Sequence, residues 1–215
     1  MYNLNKPKAI IFDCDDILLD YMQGIKKFIK TKYNIDTVGL PTDYVLNDWC
    51  GVSPEKMMEI IKDFNEQSVA FGLLEPLHYR TKEIMGMVSR SCKGQIDLIV
   101  LTKSGTFGHG EVLRKVNLIN VFGDIFKEVI IIETYESKKG SLMKLKSKYD
   151  VLCFVDDYVK NIDDAVECGI HSVLLERTHN IKHKGTNGYN FFRDWIELYK
   201  HLDDLIWDNL DLNME

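Results

Sequence analysis

Apolar positions along the chain fall into two regimes. Lys8–Asp13, Ile96–Thr102, Glu128–Ile132, Val151–Asp156 and His171–Leu175 are short, nearly continuous apolar runs with no polar face. Such runs predict strands buried on both sides. Between the later ones, Gly110–Leu118, Gly140–Tyr149 and Val159–Cys168 carry apolar residues three and four apart, which predicts helices. Alternating β and α units with short connections imply an α/β fold, a Rossmann-like parallel sheet sandwiched by helices.

One interval breaks this rhythm. From about Tyr21 to Lys93 only helical patterns occur, at Tyr21–Tyr33, Pro54–Gln67 and Leu77–Cys92. A parallel crossover needs only about a dozen residues, so the excess predicts a small helical cap inserted after the first strand. The expected division is a core domain over 1–20 and 94–215 and a cap over 21–93. Ser53-Pro54-Glu55 supplies a helix start, with Ser as cap and Pro at the first helical position. After the last strand, the loop IKHKGTNGYN (181–190) leads to a helix predicted from about Phe191 to Leu210, with Leu198, Leu202, Leu205 and Ile206 on one face.

Composition narrows the class. The 215 residues are 45% hydrophobic and 28% charged, enough apolar material for a core, and the net charge of -6 argues against nucleic-acid polymers or anionic membranes as partners. The longest apolar runs fall well short of the roughly 20 residues that span a bilayer. MYNLNKPK lacks the apolar segment of a signal peptide. The five cysteines form no C-x-x-C pair and read as buried thiols of a reducing, cytoplasmic compartment, and the histidines show no ligand spacing.

Ligands of parallel α/β sheets collect at the carboxyl ends of the strands. Asp13 and Asp15 follow the first strand; Thr102, Lys103 and Ser104 the second. Ser137, Lys138 and Lys139 lie beyond the third, and Asp156 and Asp157 end the fourth. Buried carboxylates repel one another unless a cation compensates them. Asp13, Asp15 and Asp157 offer the hard oxygen ligands that Mg2+ prefers. A Thr102 hydroxyl and a Lys138 ammonium beside them suit a phosphoryl group.

These four motifs resemble those of the haloacid dehalogenase superfamily of phosphohydrolases: D-x-D as Asp13-Cys14-Asp15, a strand ending in Thr102, a lysine, and the acidic pair of FVDDYVKN. The inserted helices are similar to the small cap of the first type. The resemblance implies an Mg2+-dependent phosphatase for a small phosphomonoester. Asp13 would be the nucleophile, Asp15 the acid-base, and Asp13, Asp15 and Asp157 the metal set. Thr102 and Lys138 would meet the phosphoryl group, with Asp156 and Asn161 behind them; Lys103, next to Thr102, reads as a solvated side chain or, alternatively, a further substrate contact. The motif lysine is Lys138 or Lys139, with Lys138 preferred because Gly140-Ser141 looks like the following helix start. FNEQSVAFGLLEPL and the D-D-x-x-x-N motif loosely resemble cytosolic deoxyribonucleotide phosphatases, which makes a nucleoside monophosphate the first substrate expectation. A sugar phosphate or phosphoglycolate, a phosphomutase, and a degenerate binding protein are the alternatives.

Asp16-Ile17 departs from that family's usual Gly after the second Asp, and Asp tolerates a left-handed backbone better than most residues. Asp15 counts against a metal-free dehalogenase, and the second acidic pair against a receiver module. Cys14 should face the core, since neighbouring strand residues alternate. Surface or loop places are expected for His78, His109, His171, His179 and His183, and core packing for Tyr44, Trp49 and Phe71.

Overall fold

A computed structural model describes residues 6–183 and 188–211. Its strands are β1 (Lys8–Phe12), β2 (Ile96–Thr102), β3 (Glu128–Ile131), β4 (Asp150–Asp156), β5 (Ser172–Leu175) and β6 (Asn190–Phe192). They form one parallel sheet in the order β3-β2-β1-β4-β5-β6. The order reverses between β1 and β4, so their carboxyl ends splay apart and open a crevice. Asp13 follows one of those ends, and Asp156 closes the other.

The helices are α1 (Tyr21–Phe28), α2 (Leu46–Cys50), α3 (Pro54–Gln67), α4 (Tyr79–Ser91), α5 (Gly110–Phe122), α6 (Lys139–Lys148), α7 (Val159–Glu167) and α8 (Trp195–Trp207). Side-chain caps set several starts. Ser53 accepts from the Lys56 amide, and Asp194 from those of Ile196 and Glu197, satisfying donors that a helix start leaves open.

The two sheet faces are covered separately. One core cluster joins Ile10, Phe12, Val100 and Val155 to Val88 of α4 and to Leu198, Leu202 and Ile206 of α8. The other joins Ile11, Leu101, Phe154 and Leu174 to Leu142 and Leu145 of α6 and Ile162 of α7. Between β1 and β2, Phe64 brings Phe28 and Phe71 together at ring distances of 5.0 and 5.6 Å, and this packing is continuous with the first cluster. α4 packs on α8 and α5.

The end of the chain differs from expectation. The predicted helix from Phe191 starts at Trp195, and residues 190–192 form an edge strand instead. Phe191 packs into one core cluster and Phe192 into the other, a period of two that three residues are too few to display in sequence. Residues 184–187 of the predicted loop, and most of MYNLNKPK, lie outside the described residues.

Candidate active site

β1 and β4 bring the two acidic pairs face to face. The Asp13 amide donates to the Val155 carbonyl at 2.8 Å, which ties the first strand's exit to the fourth strand. The Lys138 ammonium reaches both sides: it donates to the Asp13 carboxylate and, at 2.7 Å, to Asp156 Oδ2. Lys138 is fully buried, and these two carboxylates are the hydrogen-bond partners of its ammonium among the described residues. The two carboxylates hold its ammonium firmly protonated against the effect of burial. Lys139 instead lies exposed and pairs with Glu167.

Asp156 is saturated. Besides Lys138 it accepts from the Tyr158 amide at 2.8 Å and from Asn161 Nδ2 at 3.0 and 3.2 Å. Asn161 therefore orients the carboxylate that orients the lysine. Burial raises the Asp13 carboxyl well above its ordinary range, opposed by Lys138 and reinforced by Asp156, Asp157 and Asp15.

Asp15 faces another cation. Arg114 NH2 donates to Asp15 Oδ1 at 2.5 Å, and the guanidinium lies 4.1 Å over the Phe71 ring. Arg114 is fully buried, and its Nε and NH1 have no partner among the described residues. It stands on the core-facing stripe of α5 with Gly110, Asn117 and Leu118. Gly110 allows this approach, because a Cβ there would come within 2.7 Å of the Asn65 carbonyl. Burial keeps the Asp15 carboxyl above its ordinary range even against the Arg114 charge.

The turn after Asp15 resolves the departure at Asp16-Ile17. Asp16 takes φ +55°, the left-handed region that glycine usually fills. Its amide donates to the Leu19 carbonyl at 2.8 Å, its Oδ1 accepts from the Met22 amide at 3.2 Å, and the Trp195 indole donates to the Ile17 carbonyl at 2.9 Å. Burial, with Asp157 next in importance, pushes the Asp16 carboxyl up to about 8. Cys14 is buried in the core.

Asp157 has a partner that sequence spacing did not single out. His179, expected in a surface or loop role, is buried, and its Nε2 lies 2.6 Å from Asp157 Oδ2. The next residue explains why: Asn180 Nδ2 donates to the carbonyls of Asp157 and Leu175 at 2.7 and 2.8 Å, pinning the segment after β5 against β4. Tyr44 also differs from the expected core role. Its hydroxyl donates to the Asp157 carbonyl, and its ring packs against Tyr158 and His179 at 4.2 and 4.5 Å. Phe71 is core as expected, and Trp49 packs against it in part.

A cavity opens above these groups. It is lined by Asp13, Asp15, Asp16, Lys103, Lys138, Asp157 and Asn161 from the core, and by Tyr44, Leu46, Ile61 and Asn65 from the segment between β1 and β2. Burial and the Lys138 charge hold the Lys103 ammonium below its ordinary range. Thr102, at the end of β2, is fully buried with no partner for its hydroxyl among the described residues. Buried hydroxyls are normally satisfied, so this one is suited to a ligand oxygen.

The donor set fits a hard divalent cation. One carboxylate oxygen each from Asp13, Asp156 and Asp157 lies within 4.8 Å of the others, all from buried residues; those of Asp156 are already engaged, which leaves Asp13 and Asp157 as the carboxylates to hold a cation. The Asp15 carboxylate is turned to Arg114. Asp16, Asp157 and His179 form a second such group that shares Asp157. Among the described residues, no helix is long and apolar enough to cross a membrane.

No family model matches the chain. An uncharacterized 32.4 kDa protein from the Gp30-rIII intergenic region of Enterobacteria phage T4 is 27% identical over 170 residues, which cover 74% of this chain and 57% of that protein. The chain thus spans little more than half the length of that relative. Among solved structures, a haloacid dehalogenase-like hydrolase family protein of Streptococcus pneumoniae superposes with a TM-score of 0.59 at 13% identity, over 90% of this chain and 97% of that one. Protein Tyrosine Kinase A of Mycobacterium tuberculosis gives 0.62 at 16% identity, over 92% and 98%. A subfamily IA hydrolase of the same superfamily from Geobacter sulfurreducens gives 0.55 at 16% identity, over 94% and 99%. The fold of this chain is that of the haloacid dehalogenase superfamily, the one its four motifs resemble.

Proposed function

We propose that this chain is a divalent-cation-dependent phosphatase that hydrolyses a small phosphomonoester through an aspartyl-phosphate on Asp13. The observation that carries this reading is the buried Lys138 bridging Asp13 and Asp156 at the strand switch point, beside the carboxylate of Asp157. That arrangement sets the nucleophile next to a fixed positive charge that favours its carboxylate form, which a phosphoryl transfer needs.

Asp13 attacks phosphorus through its carboxylate, and the ester oxygen leaves with a proton from Asp15. Arg114 sets the direction of that carboxyl, and burial keeps its proton affinity raised, as a general acid requires. Water then attacks the phosphorus of the aspartyl-phosphate, gives its proton to Asp15, and releases inorganic phosphate with Asp13 restored. Thr102 and Lys103 donate to phosphoryl oxygens, and Lys138 neutralises charge on Asp13 and on the group in transit. Asp13 and Asp157, with the Asp15 main chain, would hold Mg2+, which would supply further positive charge to the phosphoryl transfer.

The segment between β1 and β2 supplies Tyr44, Leu46 and Ile61 to the cavity, an apolar and aromatic surface for the leaving group. A nucleoside monophosphate is the first substrate in this reading, ahead of a sugar phosphate or phosphoglycolate. Phosphate release from a panel of phosphomonoesters, with Mg2+ and with chelator, tests it. Metal-dependent release supports a phosphatase. Transfer of phosphate between positions of one sugar would make it a mutase, and silence across the panel with a tightly bound ligand would make it a binding protein.

A further inference from the structure

Below the acidic crevice, Cys153, His171 and His201 converge from three elements. The pairing of Phe154 with Ser172 makes Cys153 and His171 neighbours across β4 and the start of β5. Cys153 and Val173 share a core cluster with Leu198 and Leu202, so this face of the sheet lies under α8. α8 lowers His201 onto the pair. His201 Nε2 lies 3.0 Å from His171 Nε2, and one ligand atom from each of the three residues lies within 4.8 Å of the other two. The Phe192 ring, 5.1 Å from that of His201, limits its rotation.

We propose that Cys153, His171 and His201 bind a zinc ion. A sulfur and two imidazoles form a borderline-soft set that suits Zn2+ and not Mg2+. With zinc–nitrogen bonds of about 2.0–2.1 Å, a tetrahedral site holds its two nitrogens a little over 3 Å apart. The observed pair is therefore close to ligating separation. A hydrogen bond between the rings uses the two nitrogens but leaves the sulfur beside them, packed in the core cluster, with no polar partner among the described residues. On binding, the Cys153 S–H bond breaks, its proton goes to solvent, and a sulfur–zinc bond forms, while both imidazoles bind as neutral rings. His171 is exposed, which leaves the fourth position to water. Cys153 precedes Asp156 by three residues of β4, so the site lies about 10 Å down the strand from the carboxylates. The ion staples α8 to β4 and β5, and α8 in turn carries Trp195, which holds the Ile17 carbonyl of the turn beside the acidic crevice.

The test uses the full chain, freed of metal by chelation and kept in excess Mg2+ so that the oxygen-lined crevice does not compete. Zn2+ is titrated while melting temperature and stoichiometry are followed, and Co2+ in its place reports sulfur ligation by a thiolate-to-metal absorption band. The expected result is one equivalent of Zn2+, a rise in melting temperature and the Co2+ band. Cys153→Ala, His171→Gln and His201→Gln each lose all three, and Asp157→Asn keeps them. His171→Gln changes an exposed side chain, so its loss cannot be assigned to a failure to fold once its circular dichroism matches the wild type. A wild type without the Co2+ band, or Zn2+ binding that survives His171→Gln and Cys153→Ala, overturns the proposal and leaves the two rings sharing a hydrogen bond only.

Discussion

The two flanks of the acidic crevice solve the same electrostatic problem in opposite ways. On one flank, Asp13 and Asp156 share the buried Lys138, and Asp156 takes further bonds from Asn161 and the Tyr158 amide. On the other, Asp16 and Asp157 face His179, with no lysine or arginine ion pair to either carboxylate among the described residues. The first flank sets one lysine against two carboxylates and leaves one negative charge over. On the second, burial pushes the Asp16 carboxyl up to about 8 and Asp157 has a histidine as its one ion-pair partner among the described residues, so Asp157 is where an added cation gains most. Charge balance, more than proximity alone, therefore separates the lysine-clamped flank from the histidine flank, and a cation held by Asp13 and Asp157 would join the two.

The comparison breaks most severely at the nucleophile. Asp13→Asn should lower turnover by on the order of 10⁴-fold or more in steady-state assays, with circular dichroism unchanged. Next comes the clamp. Lys138→Ala should cost about 10²–10³-fold in turnover, as loss of a fixed charge at the reacting group does, and it should destabilise the fold by leaving two buried carboxylates uncompensated. Lys139→Ala serves as its control and should leave turnover unchanged, because its bond to Glu167 is exposed. A silent Lys138→Ala with an inactive Lys139→Ala would reverse that assignment.

Thr102→Val should reduce turnover by about 10–100-fold, the worth of one hydrogen bond to a charged group, without lowering the melting temperature. A structural role for that hydroxyl would lower both. The smallest effect sits on the histidine flank and concerns stability. Asp16 has a folded-state carboxyl raised to about 8, so metal-free protein should lose stability as pH rises from the unfolded value toward 8. Asp16→Asn keeps the acceptor for the Met22 amide and a residue that tolerates the left-handed turn, and it removes that dependence. In chelator the variant should match wild type near pH 4 and exceed it by about 1–3 kcal/mol near pH 8 in denaturant titrations.

The sheet was legible wherever a strand was a continuous apolar run, even at β3, which has four residues and is half-buried instead of buried on both faces. β2 coincides with its predicted run, and β1, β3, β4 and β5 differ from theirs by a residue or so at the ends. Asp13, Lys138, Asp156 and Asp157 were readable for a related reason: strand ends of a parallel sheet meet in one place, so their order along the chain already groups them. What escaped reading came from elements without a period. His179 and Tyr44 reach the crevice from irregular segments, and β6 is too short to alternate visibly. Arg114 did leave a signal, a charged residue on the otherwise core-facing stripe of α5, but only the fold shows that Asp15 waits opposite it.

The most direct test is to mix enzyme, Mg2+ and a phosphomonoester that the protein hydrolyses, quench in acid on the millisecond scale, and locate the phosphoryl group by peptide mass spectrometry. The account predicts a hydroxylamine-sensitive phosphoryl group on the peptide bearing Asp13, absent in Asp13→Asn and absent when Mg2+ is chelated. Hydrolysis that persists in Asp13→Asn, or a phosphoryl group carried on any other residue, would contradict it.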